Sequence, residues 1–115
     1  MRVGVIGGGQ LARMMIPPAV ALGVELRVLA EIEGSSAALA ATAVGDYRDA
    51  ATVLAFAADV DVITFDHEHV PQDVLDALVR SGVAVHPGPH ALAVAQDKTL
   101  MRERLSAIGA PVPDF

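Results

Sequence analysis

Three short stretches of this 115-residue chain carry residue types whose spacing could do chemistry. The first is Gly7-Gly8-Gly9-Gln10-Leu11-Ala12, where a strand-like run ends in glycines and a helix-like pattern begins. Such a junction bares a row of backbone N–H groups at a helix N-terminus, a cradle for an anionic ligand. The second is Asp66-His67-Glu68-His69. A carboxylate there offers only acceptors and suits a ligand's hydroxyl or amino groups, with Glu68 as the preferred candidate. His67 and His69 fall on one side of an extended segment. A metal pair is therefore conceivable, although no third ligand is evident, and a plain solvated loop is the simpler alternative. The third stretch, Gln96-Asp97-Lys98, is a capped helix start whose lysine opposes the helix dipole. Either a phosphate or carboxylate lies near it, or Lys98 is an ordinary surface residue.

Other readings stay open on the same residues. Gly7-x-Gly9-x-x-Ala12 fits the dinucleotide fingerprint, and Glu31, 22 residues beyond Gly9, stands where a ribose-binding acid is found. The NAD(P)-binding domain of a dehydrogenase is thus the alternative function. A tight turn that needs glycine for backbone reasons alone would also explain the loop. The turn Gly45-Asp46-Tyr47-Arg48-Asp49 borders the ligand site or is merely a cap and turn. His86 and His90, on either side of Pro87-Gly88-Pro89, read as structural or exposed.

Alternating strands and helices must position these residues. Strands are expected at 2–6, 24–30, 42–44, 61–65 and 83–86. Helices are expected at 10–22, 49–58, 71–80, 90–95 and 97–108, with a short one from Ser35 or Ser36 to Ala41. Asp49 and Asp97 are expected N-caps, Pro71 a first-turn proline, and Gly23, Gly82 and Gly109 helix stops. Pro17 and Pro18 predict a bend or break near Ile16, because interior prolines remove a helix hydrogen bond. Such alternation implies right-handed crossovers and a parallel sheet with helices on both faces. The expected order is 3-2-1-4-5, with ligands beyond the strand carboxyl ends at the switch between strands one and four. The glycine loop and the Asp66–His69 segment meet there.

Composition narrows the classes. Apolar residues make up 53% of the chain but aromatics only 3%, which suits helices packed closely on a buried parallel sheet. The net charge of −6 argues against nucleic-acid and anionic-membrane surfaces, which need clustered Lys and Arg. With no cysteine there is no disulfide or thiolate chemistry. No apolar run reaches the roughly 20 residues of a membrane span, and the opening residues read as a strand rather than a leader. A cytoplasmic location is expected. Residues 109–115, with Pro111 and Pro113, read as an extended connector leading out of a domain at 1–108.

Taken in order, Gly7-Gly8-Gly9-Gln10-Leu11-Ala12-Arg13-Met14, Gly45-Asp46-Tyr47, Phe65-Asp66-His67-Glu68-His69-Val70-Pro71, Pro87-Gly88-Pro89 and Ala95-Gln96-Asp97-Lys98 resemble the N-terminal domain of the N5-carboxyaminoimidazole ribonucleotide synthase family. The resemblance covers essentially the whole chain. It implies a Rossmann-like, three-layer pre-ATP-grasp domain with a five-stranded parallel sheet, which does not bind a dinucleotide. It also implies an ATP-dependent ligase of purine biosynthesis that joins 5-aminoimidazole ribonucleotide to bicarbonate through carboxyphosphate, cleaving ATP to ADP and phosphate. By residue, it implies that Gly8, Gly9, Gln10 and Leu11 line the ribonucleotide site, that Glu68 contacts the ribonucleotide, and that Lys98 reaches the ATP phosphates. Mg2+ and most ATP contacts would come from a following ATP-grasp domain. No catalytic residue is assigned within this stretch, and a homodimer is expected for the full-length family. The sequence departs from the family pattern at Asp66, where glutamate is common, at Glu31-Ile32-Glu33-Gly34, which lacks an Asp-Pro turn, and at Pro17-Pro18.

Overall fold

Val3–Ile6, Val28–Ala30 and Val62–Phe65 hold apolar residues on both alternating faces, with Thr64 as the one polar exception, so these strands must be covered on both faces. The structure, a computed structural model that describes residues 1–113, does this with one five-stranded parallel sheet. Its strands are β1 (Arg2–Ile6), β2 (Glu25–Ala30), β3 (Ala41–Val44), β4 (Val62–Phe65) and β5 (Ala84–Val85). Their order is β3-β2-β1-β4-β5, the expected one, with every pairing parallel. The helices are α1 (Gln10–Met14), α2 (Ile16–Leu22), α3 (Ala50–Ala57), α4 (Gln72–Arg80), α5 (Pro89–Gln96) and α6 (Lys98–Ala107). Asp114 and Phe115, the end of the expected connector, lie outside the described residues.

The period of two along the strands separates two cores. Val5 pairs with Val28, and both pack with Ala12 and Ala37. The next residues along, Ile6 and Leu29, face the other way and join Ile63, Val53, Phe56, Val74, Leu75 and Leu78. The first layer is built from small side chains, so the segment after the glycine loop lies close to the sheet. The second holds most of the buried apolar volume.

Several boundaries differ from expectation for local reasons. The 10–22 helix is broken at Met15, which ends α1 and begins α2. Pro17 and Pro18 thereby sit in a first turn, where no N–H is required. The expected helix from Ser35 or Ser36 is only a 3-10 turn at Ala38–Ala40 with no side-chain cap. The segment is held instead by a backbone bond from the Ala37 N–H to the Gly8 carbonyl (3.0 Å). Asp49 occupies the N-cap of α3 but caps no amide, its carboxylate accepting from Thr52 Oγ1 at 2.6 Å. Pro71 is the N-cap of α4 rather than a first-turn residue, with ψ of 148°. β5 is two residues long, not four, although the His86 N–H still reaches the Ile63 carbonyl (2.9 Å). The chain then bends away from the sheet at His86 and Pro87. Asp97 caps α6 as expected, accepting from the amides of Thr99 and Leu100. Among the described residues, no helix is long and apolar enough to cross a membrane.

Candidate functional site

The carboxyl ends of β1, β2 and β4 converge on a cleft of about 290 Å³ lined by Gly8, Gly9, Glu31, Ile32, Ser35, Ser36 and Asp66. Each strand contributes the residues just past its end, because parallel strands all point their C-termini the same way. The central feature is Asp66. Its Oδ2 accepts from the Gly9 N–H (2.7 Å) and its Oδ1 from the Ala12 N–H (3.0 Å). The anion at this helix N-terminus is therefore a side chain of the protein itself, satisfying two amides that would otherwise lack partners.

The glycines are explained by the same contact. At Gly7, φ is +107° and a Cβ would lie 2.8 Å from the Asp66 Cβ and 3.0 Å from His67 Cδ2. At Gly9, a Cβ would overlap Asp66 Oδ2. Both positions need glycine so that the loop after β4 can approach the loop after β1. The turn thus serves the backbone and the cleft at once. Among the described residues, the amides of Gly8, Gln10 and Leu11 have no hydrogen-bond acceptor.

Around this lock stand groups that can read a polar ligand. Glu31, half-exposed, brings a carboxylate oxygen to 3.3 Å from His67 Nε2. The approach is off-line, so Nε2 is buried without a hydrogen-bond partner. The Ser35 hydroxyl is likewise buried and unpartnered, and a polar group in that condition calls for an acceptor or donor from outside. Tyr47, buried in the larger core, lies against the His67 ring at 4.6 Å, with the Arg48 guanidinium 4.5 Å over its own ring. The Gly45–Asp49 turn does border this region.

The expected residues fall into two groups. Gly8 and Gly9 line the cleft, and Gln10 and Leu11 are exposed on the first turn of α1 beside it. Glu68 is exposed in the loop after β4, 3.8 Å from His69 Nε2, outside the cleft lining. Lys98 is exposed at the start of α6 and takes no part in the cleft. Gln96 is structural, donating to the Val70 carbonyl at 2.6 Å and accepting from Gln72 at 3.1 Å. It ties the end of α5 to the loop that bears Glu68. His67 and His69 do share a side, with ring centroids 5.2 Å apart. Among the described residues, no group of three His, Asp or Glu side chains is placed to hold a metal.

The sequence reading leaves Asp66, His67 and Ser35 without roles in the cleft. A signal for Asp66 was present: an acid just past the strand that neighbours β1 lies within reach of the glycine-loop amides. Ser35 and the Tyr47–His67 contact depend on loop paths that no local pattern specifies.

Sheet order, a cleft at the strand carboxyl ends and a glycine turn define a Rossmann-like ligand-binding domain. Its occupied helix N-terminus separates it from dinucleotide binders, because a pyrophosphate on those amides would meet the Asp66 charge. A family model described as the ribonucleotide synthetase preATP-grasp domain matches residues 1–96, and the chain belongs to that family. A relative named N5-carboxyaminoimidazole ribonucleotide synthase, from Mycobacterium bovis, is 49% identical over 98% of this chain and 27% of its own length. The crystal structure of N5-carboxyaminoimidazole ribonucleotide synthetase from Thermotoga maritima superposes with a TM-score of 0.85 and 35% identity, over 98% of this chain and 32% of that one. The Aspergillus clavatus N5-carboxyaminoimidazole synthase, solved with ADP and 5-aminoimidazole ribonucleotide, gives 0.86 and 31%, over 98% and 31%. The chain spans less than a third of these relatives' length. The dehydrogenase alternative finds no support among them.

Proposed function

We propose that this chain is the ribonucleotide-side domain of an ATP-dependent carboxylase, which converts 5-aminoimidazole ribonucleotide and bicarbonate to N5-carboxyaminoimidazole ribonucleotide. ATP is cleaved to ADP and phosphate in the process. The observation that carries this reading is the likeness, over nearly the whole chain, to a synthase solved with that ribonucleotide and ADP. The geometry supports it. Glu31 and Glu68 offer acceptors, Ser35 an unpartnered hydroxyl, and the Gly8, Gln10 and Leu11 amides remain open. The carboxylates suit a ribonucleotide's hydroxyl and amino groups, and the open amides suit its acceptor oxygens.

In this reading Gly8, Gly9, Gln10 and Leu11 form one wall of the ribonucleotide site and Glu68 contacts the ligand. Lys98, outside the cleft, reaches the ATP phosphates. Mg2+ and most ATP contacts belong to an ATP-grasp domain, for which residues 109–115 begin the connector. A cytoplasmic homodimer is part of the same proposal.

The test uses the full-length enzyme. Glu68→Gln removes one charged acceptor, worth about 1.5–3 kcal/mol, so the KM for the ribonucleotide rises about tenfold or more while that for ATP holds. Equal effects on both would count against the assignment. Residues 1–115 alone should not hydrolyse ATP in response to the ribonucleotide.

A further inference from the structure

Glu68 is exposed and outside the cleft lining, yet a ligand-reading carboxylate must be held to within a fraction of an ångström. Its neighbour His67 is built into the fold. The His67 side chain is 17% exposed, and its Nδ1 accepts the backbone N–H of His69 at 3.0 Å. That bond runs from residue i to i+2 and encloses Glu68 in a side-chain-closed turn, the ring-nitrogen counterpart of an Asx turn. Because Nδ1 is the acceptor, the ring proton falls to Nε2, which lies 3.3 Å from the Glu31 carboxylate but off-line, without a hydrogen bond. The ring is confined on two further sides. Tyr47 lies 4.6 Å away at an interplanar angle of 59°, and Gly7 has no Cβ, which would stand 3.0 Å from Cδ2.

We propose that His67 is the positioning residue for Glu68. Its ring is clamped between Gly7 and Tyr47, and its Nδ1 fixes the backbone on either side of the carboxylate that reads the ribonucleotide. This rests on the reading of Glu68 given above. It assigns His67 no contact with the ligand and no proton transfer.

The geometry distinguishes a positioning role from space filling, because only a side-chain acceptor at the right reach can close the turn. Asparagine at position 67 keeps an oxygen that reaches the i+2 amide. Glutamine is closer in bulk to histidine, but its amide lies one methylene too far out. The experiment measures KM for 5-aminoimidazole ribonucleotide and for ATP, with the thermal midpoint, in full-length His67→Asn, His67→Gln and Glu68→Gln enzymes. The expected result is that His67→Gln raises the ribonucleotide KM about tenfold, one hydrogen bond's share of binding, and leaves that for ATP unchanged. His67→Asn stays within about threefold of the parent, whatever the two thermal midpoints are.

If His67→Asn and His67→Gln are impaired alike, the ring's bulk matters and the turn does not, and the proposal is overturned. If Glu68→Gln raises the ribonucleotide KM but His67→Gln does not, positioning fails while the reading of Glu68 stands. If Glu68→Gln leaves that KM unchanged, the reading of Glu68 fails and this inference with it.

Discussion

The two ends of the proposed site are built in opposite ways. At the glycine loop, the hydrogen bonds that set the geometry join residues far apart in the chain: Gly9 to Asp66 across 57 positions and Ala12 to Asp66 across 54. At Lys98 the corresponding bonds are local, Asp97 accepting from residues two and three positions on. The α6 helix buries none of its residues. The contrast teaches where precision comes from. A wall held by three strand ends is fixed by the same packing that holds the fold together. A lysine on a locally capped helix is aimed only by whatever that helix packs against.

The sharpest way to break this comparison is to open the Asp66 lock. Asp66→Ala leaves two amides without their charged acceptor and should lower stability by about 3 kcal/mol, read by urea denaturation. Gly9→Ala drives a Cβ into the same carboxylate and should cost about 2 kcal/mol. The double variant should lose less than the sum, because both changes remove one interaction. Simple additivity would mean that the glycine is required for some other reason.

At the other end, Asp97→Ala should cost about 1 kcal/mol, the usual worth of an N-cap. In hydrogen exchange the loss should be confined to the first turn of α6. Faster exchange in β1 or β4 as well would show that the two ends are mechanically joined. The smallest effect belongs to Lys98→Ala, which should move stability by less than about 0.5 kcal/mol. In the full-length enzyme it should still raise the KM for ATP. A stability loss as large as that of Asp97→Ala would place Lys98 in the fold rather than at a ligand.

Much of the fold was legible because its signals are local and repeated. Apolar runs of strand length, each punctuated by glycine, proline or an acidic cap, suffice to order five strands and to place the Asp97 cap. One misreading lies where a long-range contact overrode a local preference, and another where a strand met a turn. Ser35 looks like a cap, but the segment after it is pinned by Ala37 to Gly8, so no α-helix forms there. Val83–His86 looks like a full strand, but the chain bends out of the sheet at His86 and Pro87.

The site divides along the same line. The chain's own pattern determined that a glycine turn and an acidic segment meet beyond the sheet, because strand order and parallel direction put them there. It also determined that Lys98 opens a helix. Only the tertiary structure decided that Asp66, not a ligand, takes the Gly9 and Ala12 amides, and that His67 is clamped between Gly7 and Tyr47. Those are packing decisions between segments some 20 to 60 residues apart. Hydrogen-bond and steric energies of that kind depend on distances of tenths of an ångström, which residue types in order do not encode locally.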